Sequence, residues 1–316
     1  MQTLVDLLTT VSRRHQELAP EDVPVDLGNL GFRVRDGRVW VRGLGRLGPL
    51  PLADRARSQL LVRLGIPEGH FHRCPDPLKE AQLKWFLRNG DHDRRALVRT
   101  VHGREVRAIL GSRYAPLDDA LVLPLVAGLL ADTPCTVEWC DFSADSTHVR
   151  LVFERDAKEV RPGDVVKAGI HVVNSETGCR AIHIDSLVFR LVCSNGLVRS
   201  EPELHTAFRH VGRPERLEDA LRKAILTARS GAEGLLTRFQ VATVQPIGNP
   251  EDFAASLAER HGLAEPRRDA IAARLRESGD LTVYGAVNAI TAVARDEASA
   301  EARYQLERVG AALLGT

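Results

Sequence analysis

The segment Arg161–Arg199, RPGDVVKAGIHVVNSETGCRAIHIDSLVFRLVCSNGLVR, holds the most regular β-pattern of the 316-residue chain and most of its unusual polar residues. Gly163-Asp164 opens it as a turn. Val165–Val173 reads as a strand rich in β-branched residues. Asn174–Gly178 (NSETG) reads as a tight connection, because Asn and Gly tolerate positive φ and Ser and Thr bond their own backbone. A second run, Cys179–Cys193, closes at Ser194-Asn195-Gly196, where Asn-Gly is a turn signal. Two strands joined by a short connection form an antiparallel pair. Along the second strand, Arg180, Ile182, Ile184 and Ser186 alternate with Ala181, His183, Asp185 and Leu187. One face is expected to be packed. The other is either an ordinary half-buried face or a binding surface carrying His171, His183, Asp185 and Arg190.

Outward from this pair, Cys135–Glu154 gives two more strands, TVEWC and HVRLVFE, so the centre becomes a run of antiparallel strands. Two hairpins precede it. Phe32–Val41 turns at Asp36-Gly37, with Phe32, Val34, Val39 and Val41 on one face and Arg33, Arg35, Arg38 and Trp40 on the other. Arg95–Leu110 turns at His102-Gly103 and carries Arg95, Arg99, Arg104 and Arg107, continuing into Arg113 and Tyr114. Helices are expected at Met1–Glu17, Leu52–Leu64, Lys79–Asn89 and Ala120–Leu130, the last capped by Asp118 or Asp119. After Arg199 the chain reads as helical: Leu217–Phe239, Phe253–His261, Arg267–Glu277, Leu281–Ala294 and Ala298–Leu314. Leu281–Ala294 is apolar nearly all round, so it is expected to be buried, within the chain or between subunits. Strands and helices segregate rather than alternate. The fold class is therefore α+β: an antiparallel sheet with hairpins, flanked by helices, with a helical C-terminal region. The division expected is 1–92, 93–200 and 201–316.

Three blocks carry a family resemblance. GDVVKAGIHVVNSETG and FRLVCSNGLV resemble the central block of a bacterial family of phage/plasmid-like proteins of unknown function. RTVHGREVRAILGSRYAPLDD (Arg99–Asp119) is similar to its hairpin block, with Gly111 departing from the pattern. YGAVNAITAVARDE and YQLERVGAALL (Tyr284–Leu314) resemble its C-terminal helices. The resemblance runs from Asp93 to the end. It implies a mobile-element setting and brings no catalytic residue set.

Composition bounds the function. Forty-three basic residues balance 42 acidic ones, a net charge of +1, so a case for nucleic acid must rest on local patches. Five irregularly spaced cysteines read as reduced thiols, and the chain as cytoplasmic. The apolar run Ala120–Ala131 is too short for a bilayer span. No GxxxxGK[ST], GxSxG, HExxH or CxxC occurs. Gly43, Gly45 and Gly48 have dinucleotide-loop spacing, but Pro49 and Pro51 forbid the helix that must follow. His70, His72 and Cys74, read as a loop, lack the partner ligands of a zinc site, so no metal and no cofactor is expected. Asp91-His92-Asp93 reads as a solvated loop. Glu176 is a candidate general base, but no nucleophile is visible beside it.

The positive evidence is for binding. The arginine faces of the two hairpins, with Trp40, Arg113 and Tyr114 and with Arg180 and Arg190 on the central pair, suit phosphate contact and base stacking. The expected function is therefore nucleic-acid binding of mobile-element type: single-stranded DNA binding or annealing in recombination or repair, by a homo-oligomer. The alternatives are an enzyme with a site around NSETG and a non-catalytic oligomeric structural or regulatory protein.

Overall fold

The computed structural model describes residues 2–90, 93–190, 195–199, 208–211 and 217–315. The first helix, α1 (Leu4–Leu18), starts from a capping box between Thr3 and Asp6. Strands β1 (Pro20–Asp26), β2 (Gly31–Arg35), β3 (Arg38–Arg42) and β4 (Leu50–Pro51) follow, then helices α2 (Asp54–Leu64), α3 (Glu68–Arg73) and α4 (Asp76–Asn89). The second hairpin is β5 (Arg95–Val101) and β6 (Glu105–Gly111), followed by α5 (Asp119–Leu129). The central strands are β7 (Cys135–Phe142), β8 (Thr147–Arg161), β9 (Asp164–Asn174), β10 (His183–Arg190) and β11 (Asn195–Arg199). Helices α6 (Leu217–Ala242), α7 (Pro250–His261), α8 (Glu265–Ser278), α9 (Val283–Arg295) and α10 (Ala300–Ala312) complete an α+β fold with a helical C-terminal region.

All strand pairs within the three sheets are antiparallel. The central sheet is a five-stranded meander in the order β11-β10-β9-β8-β7. Two smaller sheets, β1-β5-β6 and β2-β3-β4, precede it. The first hairpin closes through a two-residue turn, Asp36 (φ 51°) and Gly37 (75°), and the second through the three residues His102-Gly103-Arg104, of which His102 (53°) and Gly103 (59°) have positive φ. That backbone matches the twist of the flanking strands.

The central sheet has two unlike faces. On one, Val149, Leu151, Ile170, Val172, Ile184 and Val188 pack into the main core with α6. Leu217, Leu221, Ala224, Ile225, Ala228, Leu235 and Phe239 recur at helical spacing, which is why the 26-residue α6 lies with one stripe on the sheet. Ser186 shares this face and donates to the Ala228 carbonyl of α6 at 2.8 Å. The other face carries a cross-strand row of Trp139, Arg150, His171 and Asp185. It is not a wet surface: α10 covers it. His148, Arg150 and His171 are wholly buried, Tyr304 donates to Asp185 at 2.6 Å, and Glu307 accepts from Arg150. Arg190 has the opposite parity to His183 and Asp185; it chelates Asp164 and lies over the Tyr284 ring.

Several expectations are corrected. The segment 69–75 is largely the short helix α3, so His70 and His72 are on a helix and not in a loop; His70 meets Gln82 at 2.9 Å and His72 meets Glu68 at 3.4 Å. The second central strand begins at His183 rather than Cys179, because Ile182 is diverted into a bridge with Phe208. Arg180 therefore sits in the connection. Asn195-Gly196 is strand and not turn, since Asn195 already pairs with Arg190; the expected strand residues 191–193 lie outside the described residues, as do Asp91 and His92. Asp118 stands at the α5 N-cap position, but its carboxylate accepts from Arg99 instead of the helix amides. The core also groups differently from a division at 92. Leu7 and Val11 of α1 join the central core, whereas Ala96, Val98, Val106 and Ile109 of the second hairpin join the N-terminal one. Within Leu281–Ala294, expected to be buried within the chain or between subunits, the helix from Tyr284 on is largely buried inside the chain, with Ala286, Ala289, Ile290 and Ala294 packed against Leu257, Ile271 and Leu275, while Leu281 itself is exposed.

Candidate nucleic-acid interface

One face of α2 and the end of β6 form the first wall of a cleft of about 600 Å³. Arg55, Ser58, Gln59, Val62 and Arg63 recur at i, i+3, i+4, i+7 and i+8, so they form one stripe, opposite the buried Ala56, Leu60, Leu61 and Leu64. The second wall is Gly178–Ala181 and Arg209–Val211. Gln59 fastens the two: its amide donates to the Thr177 carbonyl at 2.7 Å, and its oxygen accepts from the Ile109 amide at 2.9 Å.

The cleft has an unusual lining. It contains four arginines, Arg55, Arg63, Arg180 and Arg209, and no carboxylate among the described residues. Arg55 is bidentate to Asp145, and Arg180 pairs with Glu301 and lies over the Tyr304 ring. Among the described residues Arg63 donates to the carbonyls of Asp93 and Arg95 and has no ion pair, so none of them cancels its charge. Arg209 is exposed and has no ion pair among the described residues. Tyr114 and His210 stack with centroids 5.1 Å apart and planes 4° from parallel. Their geometry is fixed by a backbone bond from Ala115 to the His210 carbonyl and by Tyr114 Oη donating to the Ser175 carbonyl at 3.2 Å. Val62 and Val211 add exposed apolar surface at 80% and 57% exposure.

Beneath the cleft the charges are spent on the fold. Arg99 is buried, bidentate to Asp22, bonded to Asp118 at 2.5 Å and to the Glu176 carbonyl at 3.0 Å. Arg107 donates to Glu176 Oε2 at 2.6 Å, and Glu176 Oε1 accepts the Asp119 amide at 3.0 Å. Both oxygens of Glu176 are thus engaged, and this side chain has the geometry of a structural clamp rather than of a general base. Burial alone raises a carboxyl, but here Arg107, the Asp119 amide and Arg99 outweigh it and hold Glu176 below its usual range. Asp119 goes the other way, pushed up to about 6 by burial and by the Glu176 charge. Burial and the charge of Arg99 lower His210 to about 4, so the stacked pair is neutral at pH 7. No group of His, Cys, Asp or Glu among the described residues is placed to hold a metal ion, and no helix there is long and apolar enough to cross a membrane.

The family model "Domain of unknown function (DUF932)" matches residues 108–311, about two thirds of the chain. The chain belongs to the DUF932 family. No curated protein and no solved structure matches it. The DUF932 region begins inside β6. It supplies Leu110, Tyr114, Arg180 and His210 to the cleft, while α2, outside the match, supplies Arg55 and Arg63.

The structure therefore separates the arginines read from the sequence. Tyr114 and Arg180 line the cleft, and Arg113 is exposed next to it. Arg99, Arg107 and Arg190 hold carboxylates inside the fold. Arg95 and Arg104 are exposed on the second hairpin. Arg33, Arg35, Arg38 and Trp40 lie on the small sheet, where Arg33 binds Glu80 and Arg38 meets Glu105 at 3.4 Å. Arg55, Arg63 and Arg209 were missed. The stripe along α2 was readable as a polar face at helical spacing; nothing in the sequence tied it to Arg209, 146 positions after Arg63.

Proposed function

We propose that this DUF932 protein binds single-stranded nucleic acid in the cleft between α2 and the segments 178–181 and 209–211. In a mobile-element setting, the ligand would be single-stranded DNA during recombination or repair. The observation that supports this is the lining: four arginines and no carboxylate, beside a stacked Tyr114–His210 pair. Uncancelled guanidiniums attract phosphates and release counterions, while the aromatic pair and exposed valines offer apolar surface to bases. The cleft is concave and of small-ligand size, so a base must leave a duplex stack to enter it. That favours single strands over duplex. Arg55 and Arg180 already have carboxylate partners, so they shape the wall and add field. Arg63 and Arg209 are the groups positioned to contact phosphate.

Fluorescence anisotropy with a labelled oligothymidylate at low salt tests this. Saturable binding, poorly competed by duplex of the same length, is expected. No binding to the single strand removes the reading.

A further inference from the structure

A second groove, of about 530 Å³, shares no lining residue with the cleft. Its walls are the Gly28–Arg33 segment, Arg42 and Gly43 on one side and Glu80, Lys84, Leu87 and Arg88 of α4 on the other. Its charges are Arg33, Arg42, Lys84 and Arg88 against Glu80 alone. Glu80 is fully used within the wall: Arg33 Nη1 donates to one oxygen at 2.6 Å and the Val34 amide to the other at 3.3 Å. That leaves Arg42, Lys84 and Arg88, all exposed and none in an ion pair among the described residues. Arg42 lies along Gly31, where a Cβ would stand 2.5 Å from its Nε, so the glycine is what lets this guanidinium lie against the groove wall. The half-buried Phe32 ring is part of the same wall, and Trp85, 57% exposed, lies on α4 outside the lining. Three exposed cations without an ion pair among the described residues, around a wall that includes Phe32, have the composition of a phosphate-binding surface with an aromatic for a base to meet.

We propose that this groove is a second single-strand site, so that one chain holds two strands at once. The proposal rests on the reading of the cleft as the first such site. Two strands held on one chain are brought to high effective concentration, which is the condition that favours their pairing.

The test titrates a short labelled oligothymidylate and, separately, mixes two non-complementary oligonucleotides carrying a donor and an acceptor dye. Wild type should bind two short oligonucleotides per chain and give energy transfer. The K84E/R88E variant should bind one and give no transfer, and so should R63A/R209A. Lys84, Arg88 and Arg209 are exposed and Arg63 is half-buried, and an unchanged circular dichroism spectrum verifies that each variant folds. If K84E/R88E keeps wild-type stoichiometry and transfer, the second site is overturned while the cleft stands. Transfer from a wild type that binds only one oligonucleotide per chain identifies an oligomer with one site per chain, which overturns the proposal equally. If wild type binds no oligonucleotide, the cleft and the groove fall together.

Discussion

Arg107 Nη1 donates to Glu176 Oε2 at 2.6 Å, joining the second hairpin to the NSETG connection of the central sheet across 69 residues of chain. Both side chains are nearly buried, and the other Glu176 oxygen receives the first amide of α5. One carboxylate thus ties together the second hairpin, the NSETG connection and α5.

Glu176→Gln should lower stability by about 3 kcal/mol, because the amide leaves a nearly buried guanidinium without its counter-charge. Urea denaturation measures this. A midpoint within error of wild type would show that the pair adds nothing to the fold.

Glu307 makes a similar case under α10. It accepts from Arg150 and from Arg303, and both guanidiniums lie over the Trp139 ring at 5.0 and 4.9 Å. Glu307→Gln should cost about 3–5 kcal/mol, since two buried cations lose their common partner. The double change Arg150→Met with Glu307→Leu should cost less than the single one. Equal losses in both would contradict the assignment.

Gly178 has φ of 73°, and a Cβ on it would meet Leu110 Cδ2 at 2.6 Å. Gly178→Val should therefore destabilise by about 2 kcal/mol from backbone strain alone. Because Gly178 lines the cleft, the same variant should bind oligonucleotide more weakly. Unchanged melting and unchanged affinity would deny both effects.

These two sites show how far the sequence could be read. The positive φ at Gly178 was legible because Asn, Ser, Thr and Gly between two apolar runs mark a turn. The register of the first hairpin was legible for the same local reason, Asp-Gly between alternating residues; in the second, His-Gly marked the turn but not the pairing of Val101 with Glu105 or the register shift at Arg99/Thr100. The two-faced β10 strand was also legible, since Ile184 and Ser186 alternate with His183 and Asp185. What covers its polar face was not. Tyr304 reaches Asp185 from 119 residues away, and Glu307 reaches Arg150 from 157. The fate of each arginine was hidden likewise. Arg99 and Arg63 look alike in sequence, and only tertiary contact gives one Asp22 and Asp118 and the other two backbone carbonyls.

Stability should fall as pH drops. His148 and His210 are lowered from 6.5 to about 4, first by burial and then by Arg180 and Arg150 or by Arg99, and burial lowers the enclosed His171 further. A depressed histidine gives its full stabilisation above its unfolded value and loses it as pH falls toward the folded value. Each contributes a slope of up to about 1.4 kcal/mol per pH unit in that window. Asp119, raised from 3.8 to about 6, has the opposite sign: its stabilisation is present at low pH and lost as pH rises through about 6. Asp118 and Glu138, also raised by burial, share that opposing sign; the three histidines carry the larger shifts and predict a net loss of stability between pH about 6.5 and about 4. Urea midpoints that rise or stay level over that range would contradict the burial of neutral imidazoles.

The salt dependence of oligothymidylate binding tests the central claim most directly. Wild type should show a linear fall of log K with log salt concentration. Arg63→Ala with Arg209→Ala should reduce the magnitude of that slope by about 1.4, because each phosphate contact to a single strand contributes about 0.7. The folded double variant should also bind more weakly at low salt. A double variant with wild-type affinity and wild-type slope would show that nucleic acid does not occupy this cleft.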